Sequence, residues 1–274
     1  MSASESLATS TSTPAAPRID ARGITLNYGS RRILQNVDLS VGAGELVALL
    51  GASGSGKSTL LRIIAGLLRA GSGQVHIDGD LLDGPRADVA LAFQDPCLLP
   101  WLSVERNAGF GLRFSRQPAL SRKARRARVD AALAEVGLAH AHGYMPRQLS
   151  GGMAQRTALA RCLARRPRTL LLDEPFGALD EVTRGGMQDL LRQLVRDTGA
   201  ATLLVTHDID EALRVADRIV LLGAHGRVLA QWQVNLDWPR EAHLQALGLL
   251  RIEIMQALQD SIAPAATLLA SPQR

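Results

Sequence analysis

Residues 51 to 58 read Gly-Ala-Ser-Gly-Ser-Gly-Lys-Ser, and no other stretch of the chain restricts its fold as tightly. The pattern G-x-x-x-x-G-K-[ST] works only where a β-strand delivers the backbone into a tight turn and a helix leaves it. Both flanks comply, with an apolar run from Leu46 to Leu50 ahead of the loop and helical spacing from Lys57 to about Leu68 behind it. Gly51, Gly54 and Gly56 let backbone N–H groups converge on one anion, to which the helix dipole presents its positive end. Ala52, Ser53 and Ser55 complete the turn and Thr59 follows it. Lys57 is expected to meet the β and γ phosphates of a nucleotide, and Ser58 to offer its hydroxyl to Mg²⁺.

The rest of the chain supplies the architecture such a loop needs. Short apolar runs at Val89 to Phe93, Thr169 to Leu172, Thr202 to Val205 and Ile219 to Leu222 alternate with helical patterns. Strands apolar on both faces and separated by helices predict a mainly parallel sheet covered on both sides, an α/β fold of the P-loop NTPase kind. Ahead of it, Ile24, Leu26 and Tyr28, then Val37, Leu39 and Val41, alternate at period two and predict a small antiparallel sheet, which residues 74 to 79 extend as a strand and an Asp78-Gly79 turn. Between about 104 and 166 the spacing of Val129, Leu133, Val136, Leu159 and Leu163 is helical, which predicts a helical subdomain inserted between two core strands. A strand is expected around Gln231 to Leu236, a break at Pro239, and then an amphipathic helix carrying Leu244, Leu247, Leu250, Ile254 and Leu258 that packs on its own domain. The Ser-, Thr-, Ala- and Pro-rich residues 1 to 17 read as a disordered tail with no secretory character. No run approaches the roughly 18 to 20 apolar residues of a membrane span.

Two further motifs carry chemistry. Residues 169 to 174, Thr-Leu-Leu-Leu-Asp-Glu, bring two carboxylates to the C-terminal end of a buried strand, where open α/β sheets bind ligands. Asp173 is expected in the Mg²⁺ shell and Glu174 as the base that accepts a proton from an attacking water. Leu149-Ser150-Gly151-Gly152 then opens a helix that runs to about Arg165. Ser150, Gly151 and Gly152 at a helix start make a second anion site. One nucleotide does not need two within one subunit, so this loop is read as closing over the nucleotide of another copy.

With these motifs in this order, residues 19 to 240 resemble the nucleotide-binding subunits of ABC transporters. The resemblance implies ATP and Mg²⁺ as cofactors and a head-to-tail homodimer. It gives roles to Tyr28 (stacking on adenine), Gln94 (sensing metal and water), Asp180 (lining the dimer seam) and His207 (contacting the γ-phosphate). Lys57, Glu174 and His207 form the implied catalytic set, and Ser58, Gln94 and Asp173 the implied metal set. Met153 departs from the Gln usual at the fifth signature position, with a modest effect expected. The ATPase domain is taken as residues 18 to 240, followed by a C-terminal helix and tail over 241 to 274.

After Gln94 the chain reads Asp-Pro-Cys-Leu-Leu-Pro-Trp, an apolar loop whose Trp101 suits a partner contact. In the family this region receives a helix of an integral-membrane permease. The Leu-Leu-Pro-Trp form is similar to the nitrate, taurine and aliphatic sulfonate importers, and the stretch from Leu236 to Arg240 resembles the aliphatic sulfonate subunits in particular. A periplasmic substrate-binding protein and a peripheral position on the cytoplasmic face of the inner membrane follow from that resemblance. The alternatives are taurine or nitrate import, or a soluble ABC ATPase acting in assembly or on nucleic acid. At 274 residues the chain lacks the long insertions or second ATPase half usual in the nucleic-acid group, so no nucleic acid is expected. Net charge is +5, and the run Arg122, Lys123, Arg125, Arg126 and Arg128 reads first as a solvated helix face. Cys97 and Cys162 lie in unrelated contexts and suggest neither a disulfide nor a zinc site.

Overall fold

The computed structural model describes residues 16–262, and the expected tail lies almost wholly outside them. β1 (Ile19–Tyr28) and β2 (Arg31–Val41) pair as an antiparallel hairpin, and β3 (Leu46–Leu50) leads through the phosphate loop into α1 (Lys57–Ile64). β4 (Ser72–Ile77) and β5 (Asp80–Leu81) return to the hairpin and complete a four-stranded sheet in the order β2-β1-β4-β5. Asp78 and Gly79 join them with φ of 53° and 83°, the left-handed pair that a two-residue hairpin turn requires.

β6 (Val89–Ala92) precedes the helical insertion, which contains α2 (Val104–Ala108), α3 (Arg122–Glu135) and α4 (Gly151–Leu163). The chain then alternates through β7 (Thr169–Asp173), α5 (Glu181–Thr198), β8 (Ala201–Val205), α6 (Ile209–Val215) and β9 (Arg218–Leu222), and ends with β10 (Val228–Gln233) and α7 (Leu244–Ile262). The large sheet runs β10-β9-β3-β8-β7-β6, parallel except for β10. β3, β7 and β8 are buried along their whole length. Successive residues serve opposite cores: Leu46, Ala48 and Leu50 face the helical side, while Val47 and Leu49 face α1 and the small sheet. The local starts are encoded by caps. Ser103, Ser121, Ser150, Asp180 and Asp208 each precede a helix and accept a hydrogen bond from its first turn, contributing about 1 kcal/mol apiece.

Two expected boundaries differ by three residues or more. α1 stops at Ile64, four residues short of Leu68, because Gly66 turns with φ 72° and a Cβ there would lie 2.4 Å from the Gly84 backbone. β10 occupies 228–233 instead of Gln231 to Leu236. Its place is set by β9, whose Leu222 and Arg218 pair with Val228 and Gln233, and the Val234 amide makes one further bond in the same register, to the Asp217 carbonyl. α7 packs on its own chain as expected, burying Ile254 and seating Leu247, Leu250 and Leu258 against the core. Trp238, between Arg192 and Arg240 at 5.5 and 5.3 Å from their guanidinium carbons, anchors the approach to this helix. Among the described residues no helix is long and apolar enough to cross a membrane.

Candidate functional site

The phosphate loop is shaped by close approach. A Cβ on Gly51 would meet the Leu222 carbonyl oxygen at 2.3 Å, and one on Gly56, which has φ 101°, would meet the Ile33 carbonyl oxygen at 2.8 Å. Lys57 lies beneath the turn, 6% exposed, and its Nζ donates to the carbonyls of Gly51 at 2.8 Å and Ala52 at 3.0 Å. Burial pulls its pKa down, with Glu174 and Asp173 opposing that through their charge. The neighbouring Ser58 hydroxyl donates to Asp173 Oδ1 at 3.0 Å. Asp173 is itself buried at the end of β7, which raises its pKa, and the Ser58 bond works against that rise.

Glu174 follows in a left-handed backbone conformation, φ 45°, with its amide held by the Val205 carbonyl at 2.9 Å. Its side chain is gripped from two sides. Gln94 Nε2 donates to Oε2 at 3.1 Å, and His207 Nδ1 lies 3.2 Å from Oε1, a contact that a neutral imidazole makes by donating from Nδ1. The ends of β3, β6, β7 and β8 thus gather Lys57, Ser58, Gln94, Asp173, Glu174 and His207 into one constellation. A cleft of about 650 Å³ opens beside it, lined by Ala52, Ser53, Gly54 and Ser55 together with Arg31, Arg32 and Gln35.

A family model described as ABC transporter matches residues 34–177. The chain belongs to the ABC transporter family, as its ATP-binding cassette. The aliphatic sulfonates import ATP-binding protein SsuB 1 of Xanthomonas axonopodis pv. citri is 47% identical over 237 residues, 85% of this chain and 93% of the relative. The protein of the same name from Pseudomonas aeruginosa strain UCBPP-PA14 is 44% identical, with 88% and 96% covered. A dimeric ATP-binding cassette solved in a post-hydrolysis state with ADP and Pi superposes with a TM-score of 0.73 at 33% identity, over 80% of this chain and 100% of that one.

Not every expected residue of the cassette joins the constellation. Among the described residues no hydrogen bond links Ser150, Gly151, Gly152 or Asp180 to the phosphate loop. Ser150 accepts from the Met153 amide at 3.2 Å and Asp180 from the Thr183 amide at 3.0 Å; the Thr183 backbone and then its side chain hold the Asp180 carboxyl below its ordinary pKa. The two segments instead lie together, since a Cβ on Gly152 would sit 3.2 Å from Leu179. Only the Met153 amide takes part in the cap, so the side-chain departure there leaves it intact. Tyr28, at the end of β1, is exposed, and so is Trp101 in the loop before α2, at 69%. Beneath Trp101 the loop backbone is pinned: buried Asn107 accepts from the Leu99 amide at 2.8 Å and donates to the Leu102 carbonyl at 2.8 Å, while Arg161 donates to the carbonyls of Pro96 and Cys97. Cys162 is buried and Cys97 exposed, both as free thiols. The sequence reading missed Arg31, Arg32 and Gln35. Their only signal was position just after Tyr28, and no local pattern separates such residues from ordinary surface cations.

The donor set suits magnesium. Ser58 and Asp173 present hard oxygens side by side, and Mg²⁺ takes one or two such groups while completing its shell with phosphates and water.

Proposed function

We propose that the chain binds MgATP and hydrolyses it to energise an importer of aliphatic sulfonates. The observation that carries the reading is the Glu174 carboxylate, held between Gln94 and His207 next to the Ser58–Asp173 pair. In this reading residues 51–59 cradle the triphosphate, with Lys57 exchanging its two loop carbonyls for phosphate oxygens, and Tyr28 stacks on adenine. Ser58 and Asp173 would hold Mg²⁺, with Gln94 beside its water shell; the ion supplies charge neutralisation on the phosphates. Glu174 accepts the proton of the attacking water, and His207 orients that carboxylate and contacts the γ-phosphate. Ser150, Gly151, Gly152 and Asp180 complete the site of a second copy, which is why they stand apart from the phosphate loop of their own chain.

The ATPase unit of this reading covers residues 18–240, with the helical subdomain at about 104–166 and the C-terminal helix beyond. A membrane permease docks at the Leu99–Trp101 loop, a periplasmic binding protein delivers cargo, and the chain sits peripherally on the cytoplasmic face. The sulfonate assignment is supported by the names of the similar import proteins. Glu174→Gln tests the chemistry: ATP should bind with wild-type affinity while phosphate release falls at least a hundredfold, the scale of a lost general base. Turnover within a few-fold of wild type would remove Glu174 from the base role. Sulfonate uptake by a strain lacking the chain, restored by the wild type and not by Glu174→Gln, tests the cargo; restored nitrate or taurine uptake in its place would reassign it.

A further inference from the structure

Charge is distributed unevenly over this molecule. The stretch from Arg106 to Val129 holds eight of the chain's 31 Lys and Arg and none of its 26 Asp and Glu, so the remainder is net negative at −3. All of the excess positive charge therefore sits on the end of α2, the turn after it, and the first turns of α3, and these helices pack on one another. Arg106, Arg113, Arg116, Arg122, Lys123 and Arg126 are exposed. Arg113, Arg122 and Lys123 have no side-chain partner among the described residues, whereas Arg126 faces Asp130 at 3.7 Å. An ordinary solvated helix intersperses its charges; over its first two turns, residues 122–129, this one presents a single sign. Phe110 and Phe114 emerge in the same patch, 41% and 55% exposed, paired edge to face at 5.3 Å.

We propose that this patch docks on anionic phospholipid headgroups, the cations engaging phosphates and the Phe110–Phe114 pair entering the interfacial layer. Clustered Lys and Arg concentrate at a negatively charged bilayer surface, and exposed aromatic rings beside them add an apolar anchor. A nucleic acid would share the phosphate chemistry. The ring pair argues for the bilayer, because edge-to-face packing commits a ring face to the neighbouring ring and leaves less of it for stacking on bases. The orientation rests on the proposed docking of the Leu99–Trp101 loop, which puts this helical subdomain on the membrane side. The test needs neither permease nor ATP, so the two ideas fail separately.

The experiment is co-sedimentation of the full chain with vesicles of phosphatidylcholine alone or mixed with phosphatidylglycerol, at low and at molar salt, with a short DNA duplex as competitor. The wild type should bind only the mixed vesicles and release in high salt. The triple variant Arg113→Gln, Arg122→Gln, Lys123→Gln should bind about a hundredfold more weakly, roughly fivefold per charge. Phe114→Ser should weaken binding several-fold at constant charge. None of these four side chains belongs to the nucleotide site, so basal ATPase and thermal unfolding should match the wild type. Equal binding to neutral vesicles, wild-type binding by either variant, or tighter capture by the DNA would overturn the proposal.

Discussion

Lys57 and Glu211 show how one physical effect, burial of an ionisable group, serves two ends. Lys57 is desolvated beneath the phosphate loop with only carbonyl oxygens in hydrogen-bond reach, so in the proposed role an incoming triphosphate gives it a charged partner. Hydrogen bonds to charged groups contribute about 1.5 to 3 kcal/mol each. Lys57→Ala should therefore weaken nucleotide binding by at least tenfold, measured by titration calorimetry; wild-type affinity would remove the residue from the site. Glu211 sits on α6 a short way past His207, with its carboxyl pushed up to about 8 by burial and then by the charge of Asp208. The folded state holds this proton between the unfolded value near 4.5 and about 8. Stability contributed by that proton is present at low pH and lost as pH rises through the window. Glu211→Gln should flatten the fall of the melting temperature between pH 5 and pH 8, and an unchanged slope would exclude Glu211 as its source.

At the scale of elements, the loop from Asp95 to Trp101 divides its backbone from its side chains. Asn107 on α2 and Arg161 on α4 hold the carbonyls and amides, and Trp101 is left outward. Trp101→Ala removes an exposed ring without opening a cavity, so basal ATPase of the isolated chain should stay near wild type while co-purification with the proposed permease falls. Collapse of ATPase with assembly intact would make Trp101 a structural residue. The N-termini of α4 and α5 follow a similar logic. Each is capped by its own Ser150 or Asp180, and the caps orient the remaining first-turn amides outward as donors.

For the whole molecule, the separation of Ser150 from the phosphate loop of its own chain becomes a prediction about assembly. Glu174→Gln should retain uncleaved ATP and hold two copies together, since a ligand that binds only the closed dimer shifts the equilibrium toward it. Adding Ser150→Arg places a bulky cation where a small hydroxyl and close backbone approach are needed. Light scattering with saturating ATP should give a dimer for the single variant and a monomer for the double. A monomeric Glu174→Gln protein, or a double variant that still dimerises, would sink the shared site.

The phosphate loop, the acidic end of β7 and the Leu-Ser-Gly-Gly start of α4 were legible in the chain by itself. Each is a short run whose function depends on spacing within a few residues and on backbone geometry that glycine and capping side chains specify locally. The alternating apolar runs identified the parallel sheet for the same reason, because burial on both faces leaves a compositional mark. Tertiary structure alone decided the rest. Gln94 meets Glu174 across 80 positions of sequence, and Arg31 and Arg32 line one cleft with Ser53 only because the antiparallel sheet packs against the loop. The limits of β10 and α1 were likewise settled by neighbours, the ladder of β9 and the backbone of Gly84, since pairing register and close contact are properties of two segments and neither segment carries them in its own residues.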